Sequence, residues 1–158
     1  MATNKECKCI TNAARVIMWA SSLEEQGTIG QHFGDLRFKE PRTVMPGPKE
    51  INTLSGMIHR DATELKKDLE EFDKTCDISK VDKRLVNNYN EGKGVLDQVI
   101  KSEGIDMNAA SYAGARINDT IQDMVTLKKL VSCKDWYGMK IIWQQYRHLK
   151  MQRNAIVW

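Results

Sequence analysis

What this chain lacks narrows it first. No stretch approaches the roughly 18 consecutive apolar residues that a membrane-crossing helix needs, so no transmembrane segment is predicted. Lys5 and Lys8 precede the run ITNAARVIMWA, but Asn12 and Arg15 interrupt it, which makes a poor signal peptide. Internal repeats, low-complexity tracts and linkers are missing, and 158 residues is the usual length of one domain, so the expectation is a single domain over residues 1–158. The net charge of +3 is too small to argue nucleic-acid binding from the total, leaving only its distribution to inform. Hydrophobic residues at 41% and charged residues at 28% exclude both a disordered tail protein and a membrane-embedded one.

Catalytic signatures are also missing. There is no nucleophile elbow, no His-Glu-x-x-His and no Glu-x-x-His pair of the di-iron bundles. His59-Arg60-Asp61 spells the tripeptide of protein-kinase catalytic loops, but the glycine-rich loop, the Asp-Phe-Gly segment and the following asparagine are not there. Gly92-x-Gly94 follows no strand and precedes no Walker lysine, so it is not a phosphate loop. The chain is therefore read as not an enzyme, with no cofactor.

What is present is helical periodicity. From Pro46 to Asp77 the apolar residues Ile51, Leu54, Ile58, Ala62, Leu65, Leu69, Phe72 and Cys76 recur every three or four positions, one stripe that other helices must cover. Pro48 suits the first helical position and Glu50 the positive end of that helix. Before it, a helix from about Thr11 to Gln26 has Thr11 or Asn12 as cap and Gly27 just past its end. Six glycines and prolines between Gly27 and Gly47 break every period, which predicts a long irregular loop over 27–47.

Downstream, Ser79 with Asp82 resembles a capping box for a helix to Glu103, closed by Gly104 with Ile105 in Schellman contact. Gly92 and Gly94 mark a candidate kink within it. A further helix runs from Asp106 to about Ser132, where Ala110, Ala113 and Gly114 permit close approach of a neighbouring backbone. Asp135 caps a last one, Trp136 to about Ala155. The fold class is all-α, a helical bundle of four to five helices.

That last helix has the most unusual composition. From Trp136 to Trp158 it carries Lys140, Arg147, Lys150 and Arg153 and no acidic residue, together with Trp136, Tyr137, Trp143, Tyr146 and Trp158. Interleaved cations and rings suit a protein interface, where Trp, Tyr and Arg dominate binding energy, and they also suit phosphate contact with base stacking. The structural alternative places Met139, Ile142, Trp143 and Tyr146 on one buried face with the cations in water.

Cys7, Cys9, Cys76 and Cys133 are expected as reduced thiols of a soluble cytoplasmic protein, with Cys76 packed as a small hydrophobe. A zinc or copper site built from these and from His32, His59 and His148 is not expected, because the usual repeated Cys-x-x-Cys pairing is absent. The leading expectation is a non-catalytic protein that associates with itself or another protein through the nine residues Trp136, Tyr137, Lys140, Trp143, Tyr146, Arg147, Lys150, Arg153 and Trp158. The alternatives are a nucleic-acid-binding subunit using the same segment and a metal- or thiol-dependent sensor using Cys7 and Cys9.

Overall fold

A computed structural model describes residues 3–33, 53–125, 127–136 and 138–143. The chain is an all-α bundle: α1 (Asn4–Phe33), α2 (Leu54–Thr75), α3 (Lys83–Lys101), α4 (Met107–Met124) and α5 (Leu127–Ser132), with a 3-10 turn at Ile78–Lys80 and helical residues again at 136 and 138–143. No strand occurs among the described residues. α1 packs along α2 on one side and α4 on the other, α4 packs on α3, and α2 meets α3 only loosely.

The apolar stripe of α2 is what the other helices cover. Leu54, Ile58, Ala62, Leu65, Leu69 and Phe72 are all buried, and they join Val16, Ile17, Leu23, Leu96, Ile117, Ile121 and Leu130 in one core. Ile51 and the predicted start at Pro48 lie outside the described residues. The described helix begins at Leu54, because the Thr53 hydroxyl accepts from the Gly56 amide at 2.9 Å and holds Thr53 extended.

α1 departs most from expectation. Its cap is Thr3, whose side chain accepts from the Glu6 amide at 3.1 Å. Thr11 and Asn12 instead reach sideways, to Asp135 at 3.2 Å and Thr75 at 2.8 Å. The helix runs through Gly27 and Gly30, so the expected loop is wrong over 27–33, and 34–47 lies outside the described residues. These glycines serve helix crossing rather than helix termination. A Cβ on Gly27 would stand 2.4 Å from the Ser111 amide nitrogen. Across the same contact, one on Gly114 would stand 2.6 Å from the Ala20 carbonyl oxygen. Only side chains this small let the α1 and α4 backbones meet.

α3 begins at Lys83, four residues later than predicted: Asp82 is its cap, accepting from Arg84 N at 3.0 Å, while Asp77 caps the 3-10 turn through Ser79 N at 3.0 Å. α3 runs without a break through Gly92 and Gly94. The Schellman end is made with Glu103 at φ 55°, Gly104 donating to Val99 O at 3.1 Å, but Ile105 stays 70% exposed and its predicted hydrophobic contact is not formed. The predicted helix 106–132 is two. α4 ends at Val125, whose backbone is extended with its side chain buried, and the Lys129 ammonium reaches back to the Met124 carbonyl at 3.0 Å.

The four cysteines are disulfide-bonded, not reduced: Cys7 to Cys133 and Cys9 to Cys76, with Cα separations of 5.4 and 4.9 Å. Two residues apart on a helix, Cys7 and Cys9 project to opposite flanks. One ties α1 to the end of α2, and the other ties it to the turn after α5. Cys76 is thus a cross-link at the end of the stripe that still packs, partly buried, against the core.

Candidate interaction surface

The segment with the unusual composition is held against α1 by its own start. Asp135 occupies the predicted cap position, its Oδ1 accepting from the Gly138 amide at 2.7 Å and its Oδ2 from the Thr11 hydroxyl at 3.2 Å. Gly138 lies flat on α1, where a Cβ would stand 3.0 Å from that of Ala14. Ile141 is buried, and Met139 and Ile142 pack partly against the core. Just upstream, the Cys7–Cys133 bridge and the left-handed Lys134 fix the angle at which the segment leaves α5.

With Gly138 and Ile141 inward, the opposite side faces out. Trp136 and Trp143 are 67% and 62% exposed, and Lys140 between them is exposed. The expected buried face Met139, Ile142, Trp143 and Tyr146 is therefore rotated: Trp143 leaves it and Gly138 and Ile141 enter, both being buried. At about 100° per residue Trp136, Lys140 and Trp143 fall within an arc of about 60°, with about 10 Å of axial rise between the rings. Of the nine predicted contact residues, these three are brought onto one face. Tyr137, Tyr146, Arg147, Lys150, Arg153 and Trp158 lie outside the described residues. Upstream in α5 and the turn after it, Val131 is 50% exposed and Lys128 and Lys134 are exposed, none of which was among the predicted contact residues.

Titratable groups elsewhere are structural in their surroundings. Asp61 is fully buried, accepts from the Ser22 hydroxyl at 2.6 Å and from Arg60 at 3.2 Å, and burial raises its carboxyl above the ordinary range despite both partners. Burial likewise raises Glu24, against the opposing hydrogen bond from Asn118. Asn118 itself donates to Ser21 at 2.9 Å and accepts from Gln122 at 3.0 Å, a polar bridge inside the α1–α4 contact. His59 Nδ1 is buried without a hydrogen-bond partner, one turn from the Ser55 backbone that Gly104 approaches. The tripeptide His59-Arg60-Asp61 sits in the N-terminal half of α2, inside a regular helix rather than a loop. A groove of about 220 Å³ lies between α2 and α3, lined by Lys66, Leu69, Glu70, Asp73, Lys93, Gly94, Leu96 and Asp97, and the tripeptide is not part of its lining. Tyr89 closes the core beside it, its hydroxyl donating to Asp73 at 2.5 Å. Among the described residues no three His, Cys, Asp or Glu side chains converge as a metal site would require, and no helix is long and apolar enough to cross a membrane.

The class defined by these features is a disulfide-stapled all-α bundle with an outward aromatic and basic stripe. Comparison with family models, curated proteins and solved structures finds no match for the chain.

Proposed function

We propose that the protein is a non-catalytic association module whose contact surface is the stripe Trp136, Lys140 and Trp143, extended by the flanking aromatic and basic residues of the segment. The observation that carries this reading is the exposure of two indoles on one helical face, 67% and 62%. Large rings left in water seven residues apart are costly for a solitary protein and are the side chains that dominate interface energetics. Self-association or a protein partner is the first use of such a face. Nucleic acid is the second, favoured by a lysine standing between two stacking platforms.

The cystines bear on where this happens. Two disulfides and no free thiol favour an oxidising compartment over the cytoplasm expected from the sequence. Nucleic acid is scarce in such compartments, which ranks that reading below protein association.

The test is a double substitution, Trp136→Ala with Trp143→Ala, in the oxidised full chain. Truncation after Lys134 is a poorer test, since it strips Ile141 from its buried place. Light scattering across a wide concentration range is expected to show self-association that the substitutions abolish. A wild-type mass that stays monomeric, unchanged by the substitutions, would refute self-association. A gel shift at low salt that retards an oligonucleotide in proportion to Lys140 and its basic neighbours would instead favour nucleic acid.

A further inference from the structure

The association reading leaves the chemistry of the partner open, and the charges around the stripe address it. Every lysine of α2 is neutralised: Lys66, Lys67 and Lys74 lie 3.2, 3.5 and 3.6 Å from Asp97, Glu64 and Glu71. Between residues 127 and 143 the pattern reverses. Lys128, Lys134 and Lys140 are exposed and form no ion pair among the described residues. Lys129 is different, its ammonium being spent on the Met124 carbonyl. The only carboxylate in that stretch is Asp135, and both of its oxygens accept hydrogen bonds from within the fold. Three exposed cations and two exposed indoles therefore fall between residues 127 and 143, where the one carboxylate is already engaged.

We infer that the stripe receives an acidic polypeptide, a partner segment whose carboxylates meet Lys128, Lys134 and Lys140 while apolar side chains cover Trp136 and Trp143. This rests on the association reading and names its partner's chemistry. Complementary charge steers and orients such a contact, and the paired rings supply the desolvated anchors. A lipid bilayer fits less well. Two rings on a stripe about 10 Å long bury less apolar surface than a single acyl chain, which gives only marginal membrane attachment. Nucleic acid ranks lower because the two cystines favour an oxidising compartment, where it is scarce.

The experiment titrates the oxidised full chain, followed by tryptophan fluorescence and by anisotropy of labelled ligand. The ligands are a random glutamate/tyrosine copolymer, a thymidine oligonucleotide, and vesicles of phosphatidylglycerol or phosphatidylcholine. The copolymer is expected to bind most tightly, with an affinity that falls with salt. Lys128→Glu, Lys134→Glu and Lys140→Glu together are expected to cost at least about tenfold, as is the double tryptophan variant. Should charge reversal impair folding, judged by helical circular dichroism, the neutral Lys→Gln set replaces it and is read the same way.

Tighter binding to phosphatidylglycerol vesicles or to the oligonucleotide than to the copolymer would overturn the proposal, as would copolymer affinity indifferent to the three lysines. Absence of copolymer binding in a protein that still self-associates through Trp136 and Trp143 would sink the acidic partner and leave the association surface standing. If neither self-association nor copolymer binding responds to the tryptophans, both readings fall.

Discussion

Gly92 and Gly94 sit two residues apart in the same unbroken helix, yet the fold predicts opposite responses to a single methyl group. At Gly94 a Cβ would meet nothing within 4 Å. Alanine there gains helix propensity and reduces the freedom of the unfolded chain, together about 1 kcal/mol, with no packing term to offset it. At Gly92 the same Cβ would stand 2.8 Å from Ile117 Cγ1, 3.2 Å from Arg116 Cβ and 3.3 Å from the Ala113 carbonyl oxygen. Ile117 is fully buried and has little room to withdraw. Overpacking of this kind costs about 2 kcal/mol, which exceeds the propensity gain and leaves a net loss of about 1 kcal/mol.

The two variants should therefore differ by about 2 kcal/mol. For a chain of this length that is a separation in Tm of about 4–8 °C, with Gly94→Ala above the wild type and Gly92→Ala below it. Thermal unfolding of the oxidised proteins by circular dichroism measures this directly. Because both substitutions change the unfolded chain alike, their difference isolates the contact with α4. Equal shifts for the two, or a lower Tm for Gly94→Ala, would refute the account of why α3 tolerates its glycines.

Other outcomes follow from the core and its staples. Replacing Cys9 and Cys76 together by serine opens a closure spanning 67 residues, for which chain entropy gives about 4 kcal/mol; a Tm within a degree or so of wild type in non-reducing buffer would show that this bridge does not restrain the chain. Asp61→Asn addresses pH. Because burial raises the Asp61 carboxyl in the folded state, the folded protein holds a proton that the unfolded chain releases first. Stability therefore falls as pH rises from the unfolded carboxylate range through the folded value, then levels. Asparagine keeps an acceptor for Ser22 and removes that contribution, so the variant should lose less stability than the wild type between about pH 4 and neutrality. Denaturant midpoints against pH check it, and parallel curves would refute a buried, proton-retaining Asp61.

Some of this architecture can be read along the chain. The α2 stripe, the small residues of α4 and the cap at Asp135 depend on neighbours within a turn or so, and periodicity and capping chemistry report such neighbours. Gly27 looks like a helix stop by the same rules and is not one. A left-handed end and a tight helix crossing both ask for glycine, and only the position of Ser111 tells which applies. Val125 hides in the same way, since a buried apolar residue in helical register looks helical until its extended backbone is seen. The four cysteines offered an even count but no spacing that distinguishes cross-links from packed thiols.

The candidate surface was half legible. Its composition stood out, but its orientation did not: with Tyr146 and Met139 assigned inward, Trp143 falls on the core side. Gly138 and Ile141 face the fold, close to Ala14 of α1, and both indoles face outward. Asp61 shows the converse, a charge placed among polar helix residues that the approach of Ser22 makes part of the interior.

The sequence by itself determined that this is an all-α bundle, where its longest apolar face runs, and where cations gather without acids, because those properties are set by residues a few positions apart. Which glycines bridge helices, which cysteines meet and which side of the last segment faces water were decided only by tertiary structure. Each depends on what a different element, distant in the sequence, places opposite.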